Sequence, residues 1–331
     1  MKEIEVTRNE AGQRLDRFLK KFMPKASAGF IYKMIRKKRI KVNGQRATSQ
    51  YILMVHDRIQ LYLSEDTISE FQNEKRMVVK KATLDVIYED TNILLVNKPK
   101  NLLVHGDKGE NYNTLINQVY YHLINRGDYD PKKESTFSPA PCNRLDRNTS
   151  GIVIIAKNFP TLQAVNSMMK KDGIIKKYIA LVKGKVDEER ELKGYLVKDS
   201  KSNRVQISPK ETKGSKFIHT KYTPIETNGI YSLLSIQIFT GRSHQIRAHL
   251  YEEGIPIVGD IKYGDERTNR YFMEKFKLHS QFLHGDSIQF IHCPAHLSYL
   301  EGEIFRGDVP GHLSNILNNM GWEDYNGLLE Q

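Results

Sequence analysis

The residues best placed to do chemistry fall in three short stretches. The first is Cys142-Asn143-Arg144-Leu145-Asp146-Arg147-Asn148-Thr149-Ser150-Gly151, a loop that sets one carboxylate between two arginines and runs straight into Ile152-Val153-Ile154-Ile155-Ala156. That apolar run reads as a buried strand, and a charge at its mouth is costly unless a cation attends it. Arg144 and Arg147 are the sequence neighbours that would keep Asp146 ionised. An Asp ahead of a Thr-Ser-Gly bend also has an ordinary reading as a turn residue. The second stretch, Lys176-Lys177-Tyr178-Ile179-Ala180, places an aromatic ring and two cations at the start of a strand. The third is Gly241-Arg242-Ser243-His244-Gln245-Ile246-Arg247-Ala248-His249-Leu250. At helical spacing His244 and Arg247 share a face, and Ile246 and Leu250 pack inward. One carboxylate, one arginine and one tyrosine suit a flat, uncharged base: the ring stacks, the arginine holds the carboxylate, and the carboxylate acts on sugar or base. A structural salt bridge beside a core tyrosine is the competing reading.

Elements that could position these residues follow from the patterning. Leu84 to Tyr88 and Ile93 to Asn97 read as a hairpin, and a helix carrying Leu115, Val119 and Leu123 precedes the Asp146 loop. A helix with Leu162, Val165 and Met169 follows it, and beyond Gly173 strands dominate: Tyr178 to Val182, Val205 to Ile207, Phe217 to Ile225 and Tyr231 to Phe239. Strands outnumber helices without βαβ alternation, so the class is α+β, with a larger domain on a mixed, largely antiparallel sheet. In front of it, Leu15, Phe18, Leu19 and Phe22 mark one short helix, Ser27 can cap a second with Phe30, Ile31, Met34 and Ile35, and Asn43-Gly44 marks a hairpin. The resulting division is a small N-terminal α/β domain over 1–66, a polar linker over 67–83, the larger domain over 84–310, and a solvated acidic tail over 311–331 packed by Trp322.

A chain of 331 residues with 39% hydrophobic content supports two packed cores. Its net charge of +12 is polarised: residues 1–63 hold 15 basic against 5 acidic side chains. The exposed face with Lys33, Arg36, Lys37, Lys38 and Arg39 has no interleaved acid, which points to a polyanion and to RNA before a membrane surface. Two cysteines are too few for a disulfide framework, and Met-Lys-Glu-Ile-Glu-Val-Thr-Arg has no apolar leader core, so the expected location is the cytoplasm. No apolar run is long enough to span a membrane. His244 and His249 are five apart and there is no CxxC, so no metal is expected, with the His292-Cys293-Pro294-Ala295-His296 run included in that reading. A hydrolase using Asp146 with His244 would lack both a nucleophile elbow and paired carboxylates.

Residues Arg14-Leu15-Asp16, Ser27, Val42-Asn43-Gly44 and Asp57-Arg58-Ile59 resemble an S4 RNA-binding domain, departing from it at Lys38 and His56, where glycine is expected. Arg144-Leu145-Asp146-Arg147 with Thr149-Ser150-Gly151, Lys177-Tyr178-Ile179-Ala180 and the Gly241 to Leu250 stretch resemble the motifs of RluA/RluC/RluD-type pseudouridine synthases. Supporting matches are Leu94-Val96-Asn97-Lys98-Pro99, Gly259-Asp260, Tyr263-Gly264 and Leu278-His279; Asn143 and Asn148 depart, standing where many relatives have His and Asp. The resemblance implies that Asp146 is the essential carboxylate, that Tyr178 stacks on the flipped base and assists proton removal from C5, and that Arg247 pairs with Asp146. It also implies Arg144 filling the stack vacated by the base and Leu250 lining an apolar pocket, with Arg242, His244 and Gln245 as further substrate-binding candidates. Substrate and product would be isomers, so neither cofactor nor metal is called for; Asp146 could attack C1′ or C6 or remove a sugar proton. The implied partner is RNA, ribosomal RNA of the large subunit ahead of transfer RNA, and a monomer is the default. A catalytically silent RNA-binding or ribosome-assembly factor of the same fold is the alternative.

Overall fold

The computed structural model describes residues 1–72, 83–106, 113–131, 133–198 and 204–322. Its N-terminal unit comprises β1 (Lys2–Glu5), α1 (Leu15–Phe22), α2 (Ala28–Arg36), β2 (Ile40–Val42), β3 (Gln45–Arg46), β4 (Arg58–Leu61) and α3 (Glu65–Phe71). The strands pair in the order β1-β4-β2-β3. Leu15, Phe18, Leu19 and Phe22 are buried along one face of α1, as their spacing predicts. Ser27 caps α2 by accepting from the Phe30 N–H at 3.1 Å, and Ile31 and Ile35 enter the same core. Asn43 and Gly44 have φ of 51° and 75°, the paired left-handed geometry of a two-residue hairpin loop. Lys38 and His56, standing where glycine was expected, also lie at positive φ, 60° and 71°. The left-handed turns are thus retained with side chains on them, at about 1–2 kcal/mol each.

The linker expected over 67–83 begins later than the sequence suggests. Ser64 caps α3, Ile68 is buried in the N-terminal core, and the Phe71 ring lies 4.7 Å from that of Phe30. Seven residues make too short a helix to display periodicity, and Ile68 is the single side chain it buries fully. The rest of that segment, 73–82, lies outside the described residues. Asn9 ties the unit to the larger domain: its Nδ2 donates to Glu134, and its Oδ1 accepts from the Phe159 N–H at 3.1 Å. Lys21 lies 5.1 Å from the centre of the Phe159 ring.

The larger domain runs through β5 (Val86–Glu89), β6 (Ile93–Lys98), α4 (Leu115–Arg126), β7 (Ala140–Pro141), β8 (Ser150–Ala156), α5 (Phe159–Lys170), β9 (Ile174–Lys183), β10 (Arg190–Lys198), β11 (Val205–Ser208), β12 (Lys216–Thr227), β13 (Tyr231–Ile238), α6 (Gln245–Glu252), α7 (Glu266–Phe276), β14 (Leu283–Phe290), β15 (Ile304–Arg306) and α8 (Gly311–Asn319). Its 11-stranded sheet is ordered β11-β10-β12-β13-β9-β14-β8-β6-β5, with β15 on β14 and β7 on β8. Among the described strands, β14 with β8 is the single parallel pairing. The α+β class with a mixed, largely antiparallel sheet is therefore the observed one. One core joins Val119 and Leu123 of α4 to Leu250 of α6 and Tyr178 of β9; another sets Val165 and Met168 of α5 against Ile152 and Ile154 of β8.

Two further sequence readings are corrected. Residues 311–322 are not a solvated tail: Leu313, Ile316 and Leu317 of α8 pack with Trp322 against Phe272 of α7. Their i, i+3, i+4 spacing is helical, but α8 has no side-chain cap, and the acidic residues around it drew the reading toward solvent. Ser150 and Gly151, read as the close of a bend, are the first residues of β8. Gly151 has φ 124°, and a Cβ there would collide with the backbone of Gly285 across the parallel pair, so glycine is required by close approach.

Candidate active site

The Asp146 loop is held from several sides. Asn143 donates from Nδ2 to the Ile152 carbonyl at 3.0 Å and accepts the Ile154 N–H on Oδ1 at 2.8 Å, pairing side chain to strand. The Thr149 N–H donates to the Asp146 carbonyl, and Gln281 donates to the Thr149 hydroxyl. Lys98, fully buried at the end of β6, donates to the carbonyls of Pro99, Leu102 and Arg147 at 2.7, 2.9 and 3.2 Å. Burial lowers its amine pKa to about 7, against the upward pull of Asp146. Leu145 turns into the core with Tyr178, Ile246 and Leu250, which leaves the Asp146 side chain at the rim, 29% exposed.

The arginine that meets Asp146 is Arg247 from α6, and neither sequence neighbour. Its Nη1 donates to Asp146 Oδ2 at 2.9 Å, while Nε and Nη2 grip Asp260 at 2.6 and 2.8 Å. Asp260 is fully buried and also accepts from the Lys262 and Tyr263 N–H groups. Burial opposes the charge on both partners, yet the bidentate bridge prevails: the Arg247 pKa is raised and the Asp260 pKa lowered. The guanidinium also lies 5.2 Å from the Tyr263 ring centre. Two of its three donor positions are thereby locked, and the third is aimed at Asp146.

Tyr178 stands in β9 opposite Gly285, where a β-carbon would approach its ring edge at 3.4 Å. The missing side chain gives the ring room beside the β14–β8 junction. Burial first, and the nearby Asp146 charge second, push the phenol well above its usual range, so it is neutral at physiological pH. His244 is not a helical residue sharing a face with Arg247, as its spacing suggested; it precedes α6 in the left-handed conformation, φ 57° and ψ 15°. It nevertheless reaches the site, with Nε2 3.9 Å from Asp146 Oδ2 and Nδ1 3.1 Å from the Tyr263 hydroxyl.

The structure thus gathers Asp146, Tyr178, Arg247, His244 and Leu250, the last fully buried in the cluster that contains Tyr178. It does not present Gln245, whose amide is consumed within the fold. Its Nε2 donates to the His219 carbonyl and the Thr220 hydroxyl, and its Oε1 accepts from Thr240 and from the Arg242 N–H. Arg144 and Arg242 are exposed, as are Lys33, Arg36, Lys37, Lys38 and Arg39 at the end of α2 and in the turn after it. His249 faces away from His244, toward the Thr220 hydroxyl at 2.8 Å. Among the described residues no cluster of three or more His, Cys, Asp or Glu could hold a metal, and no helix is long and apolar enough to cross a membrane. Asp260, Tyr263 and Lys98 stood in quoted motifs without a role. For Asp260 the available signal was its glycines, since Gly259 at φ 80° and Gly264 each leave no room for a β-carbon and fold the segment tightly around the carboxylate.

Known proteins resemble this chain along most of its length. The family model for RNA pseudouridylate synthase matches residues 92–252, and that for the S4 domain matches residues 13–59. A protein from Mycoplasma capricolum called an uncharacterized RNA pseudouridine synthase is 32% identical over 81% of this chain and 87% of its own. The ribosomal large subunit pseudouridine synthase C of Buchnera aphidicola is 32% identical over 87% of this chain and 89% of its own. The solved structure of human RNA pseudouridylate synthase domain containing 4 superposes with a TM-score of 0.54 at 20% identity, over 70% of this chain and 92% of that one, which speaks to the fold. A buried arginine held on a buried aspartate and aimed at a rim carboxylate, within a chain so matched along most of its length, places the protein in the family of RNA pseudouridine synthases, isomerases of uridine in RNA, with an S4 domain at its N-terminus.

Proposed function

We propose that the enzyme isomerises uridines of large-subunit ribosomal RNA, with Asp146 as the carboxylate that acts on a nucleotide flipped out of the RNA. The observation that carries the site assignment is the chain of contacts from Asp260 through Arg247 to Asp146. Arg247 and His244 both approach Oδ2 of Asp146, which leaves Oδ1 as the oxygen for the nucleotide. The ring of Tyr178, backed in the core by Leu145 and the fully buried Leu250, is the apolar surface on which a uracil can stack. Its neutral phenol can accept the C5 proton only after giving up its own, so in this reading Tyr178 first supports the base and then relays a proton.

The reaction breaks the N1–C1′ bond, turns the uracil and rejoins it through C5. The atoms of product and substrate are the same: the proton lost from C5 is balanced by one gained at N1, and the protein contributes positioning, electrostatics and the transient partners Asp146 and Tyr178. Names of relatives support ribosomal RNA of the large subunit as the substrate, and the basic end of α2 supports an RNA contact made by the S4 domain. The free cysteines Cys142 and Cys293 suit the reducing cytoplasm.

The test is tritium release from RNA labelled at uracil C5, with ribosomal and transfer RNA from cells lacking the gene assayed separately. Asp146→Asn is expected to abolish release while RNA affinity stays within a few-fold. Release that persists in Asp146→Asn would remove Asp146 from the reaction, and release from transfer RNA alone would overturn the substrate.

A further inference from the structure

We propose that His244 donates a hydrogen bond from Nε2 to a carbonyl oxygen of the flipped uracil, stabilising the negative charge that the base gathers as the N1–C1′ bond breaks. The inference rests on Asp146 being the reacting carboxylate.

The proton inventory around Tyr263 supplies the first step. Its hydroxyl oxygen accepts the Val205 N–H at 2.8 Å, and its single proton needs an acceptor. His244 Nδ1, 3.1 Å away, is that acceptor, because a donating Nδ1–H would leave the hydroxyl proton unpaired. Nδ1 therefore carries the lone pair and Nε2 carries the hydrogen. Ring packing fixes the direction: the imidazole meets the Tyr263 ring edge-on, with centroids 5.6 Å apart and planes at 74°.

This N–H makes no hydrogen bond among the described residues. Among the described residues its nearest acidic oxygen is Asp146 Oδ2 at 3.9 Å, beyond hydrogen-bond distance. Burial lowers the imidazole pKa against the pull of Asp146, so at physiological pH the ring is neutral and Nε2 holds one donor. The backbone shows that this placement is specified: His244 occupies the left-handed region, which disfavours a β-carbon, and that conformation swings the ring off the helix axis toward Asp146.

The chemistry gives the donor a task. When N1–C1′ breaks, its electron pair stays with the base and spreads onto the uracil carbonyl oxygens. A fixed N–H facing one of them gains strength as that charge develops, so it favours the transition state over the bound substrate. No proton leaves His244, and no other reactant is required.

The experiment uses full-length enzyme and large-subunit ribosomal RNA transcripts carrying uridine tritiated at C5, under single-turnover conditions. His244→Phe keeps a flat ring without a donor and is expected to slow tritium release about 10²-fold with RNA affinity within a few-fold. His244→Gln returns an amide N–H near the Nε2 position and should recover roughly tenfold over His244→Phe. His244→Asn is more at home in the left-handed conformation but carries its amide near the Nδ1 position, and should remain as slow as His244→Phe. A purely structural role predicts the opposite order, with Asn the best tolerated, and that result overturns the proposal. Transcripts made with 2-thiouridine or 4-thiouridine identify the oxygen: sulfur at the contacted carbonyl should slow the wild type, and that penalty should vanish in His244→Phe. Equal thio penalties in both proteins also overturn it. Asp146→Asn separates the two readings, since inactive Asp146→Asn beside three fully active His244 variants removes only the role of His244, whereas active Asp146→Asn removes both.

Discussion

Replacing Asp260 with asparagine isolates what holds Arg247 in place. Asp260 accepts both guanidinium bonds, at 2.6 and 2.8 Å, and has no exposed surface. In Asp260→Asn one of those oxygens becomes an NH₂ group that meets a donor, so one bridge is lost and Arg247 keeps its buried charge with Asp146 as the remaining ionic partner. Removing one member of a buried pair costs about 3–5 kcal/mol. Over a domain of this size that lowers the melting temperature by roughly 10 °C. The rate should suffer separately, because a guanidinium free to rotate onto Asp146 would engage both carboxylate oxygens and tie up the one left for the nucleotide. Misplacement on the order of 1 Å costs about 10² in rate. The assay pairs thermal unfolding with single-turnover tritium release measured at least 15 °C below the variant's midpoint, so that unfolding does not masquerade as slow chemistry. A variant that melts with the wild type and reacts at the wild-type rate would refute the argument that Asp260 orients Arg247.

Other perturbations test other parts. Gly151→Ala would drive a β-carbon into the backbone of Gly285 at a φ that disfavours side chains, with an expected loss of more than about 3 kcal/mol; an unchanged urea midpoint would contradict the close approach of β8 and β14. Neutralising Arg36, Lys37, Lys38 and Arg39 together should weaken RNA binding and reduce the slope of log affinity against log salt by about 3, if each contacts a phosphate; an unchanged slope would place the RNA elsewhere on the protein. Burial lowers the pKa of His249 and of His284 to about 4, so the unfolded chain binds protons first as pH falls below 6.5, and stability is lost down to about 4. At pH 5 the loss is roughly 2 kcal/mol for each ring, and His284→Gln should remove one share of it in denaturation measured at pH 7 and pH 5.

Much of the fold was legible because its cues are local. The stripe of Leu15, Phe18, Leu19 and Phe22, the Ser27 cap and the Asn43-Gly44 turn each act within a few residues, and each does in the structure what its chemistry requires. Strand β10 was missed because its sequence, rich in Arg, Glu and Lys, lacks the clean alternation of a half-buried strand. Strand β14 was missed because His284, Asp286 and Ser287 are buried, and polar residues ordinarily signal solvent. At the site, residue types were readable but partners were not. Arg144 and Arg147 stood nearest Asp146 in sequence, while the arginine that reaches it lies 101 positions away. Gln245 looked like a ligand-binding amide because it lies in the same motif as Arg242 and His244, and only the hydrogen bonds to Thr220, Thr240 and the His219 carbonyl reveal an internal brace. The histidine before α6 was read with helical geometry; histidine is enriched in the left-handed region, but that weak cue was outweighed by its helical spacing from Arg247.

The strand order fixes when the enzyme can first work during its own synthesis. β14, spanning Leu283–Phe290, lies between β8, which follows Asp146, and β9, which carries Tyr178. Until the ribosome has released that strand, β8 and β9 have no common neighbour, and nothing sets the carboxylate and the ring at their working separation. The proposed site residues Asp146 and Tyr178 are made early, yet the strands that carry and follow them are joined only when a segment more than 100 residues downstream threads between them. If Asp146 and Tyr178 act together as proposed, a nascent chain beside ribosomal RNA would stay silent toward it until the sheet closes.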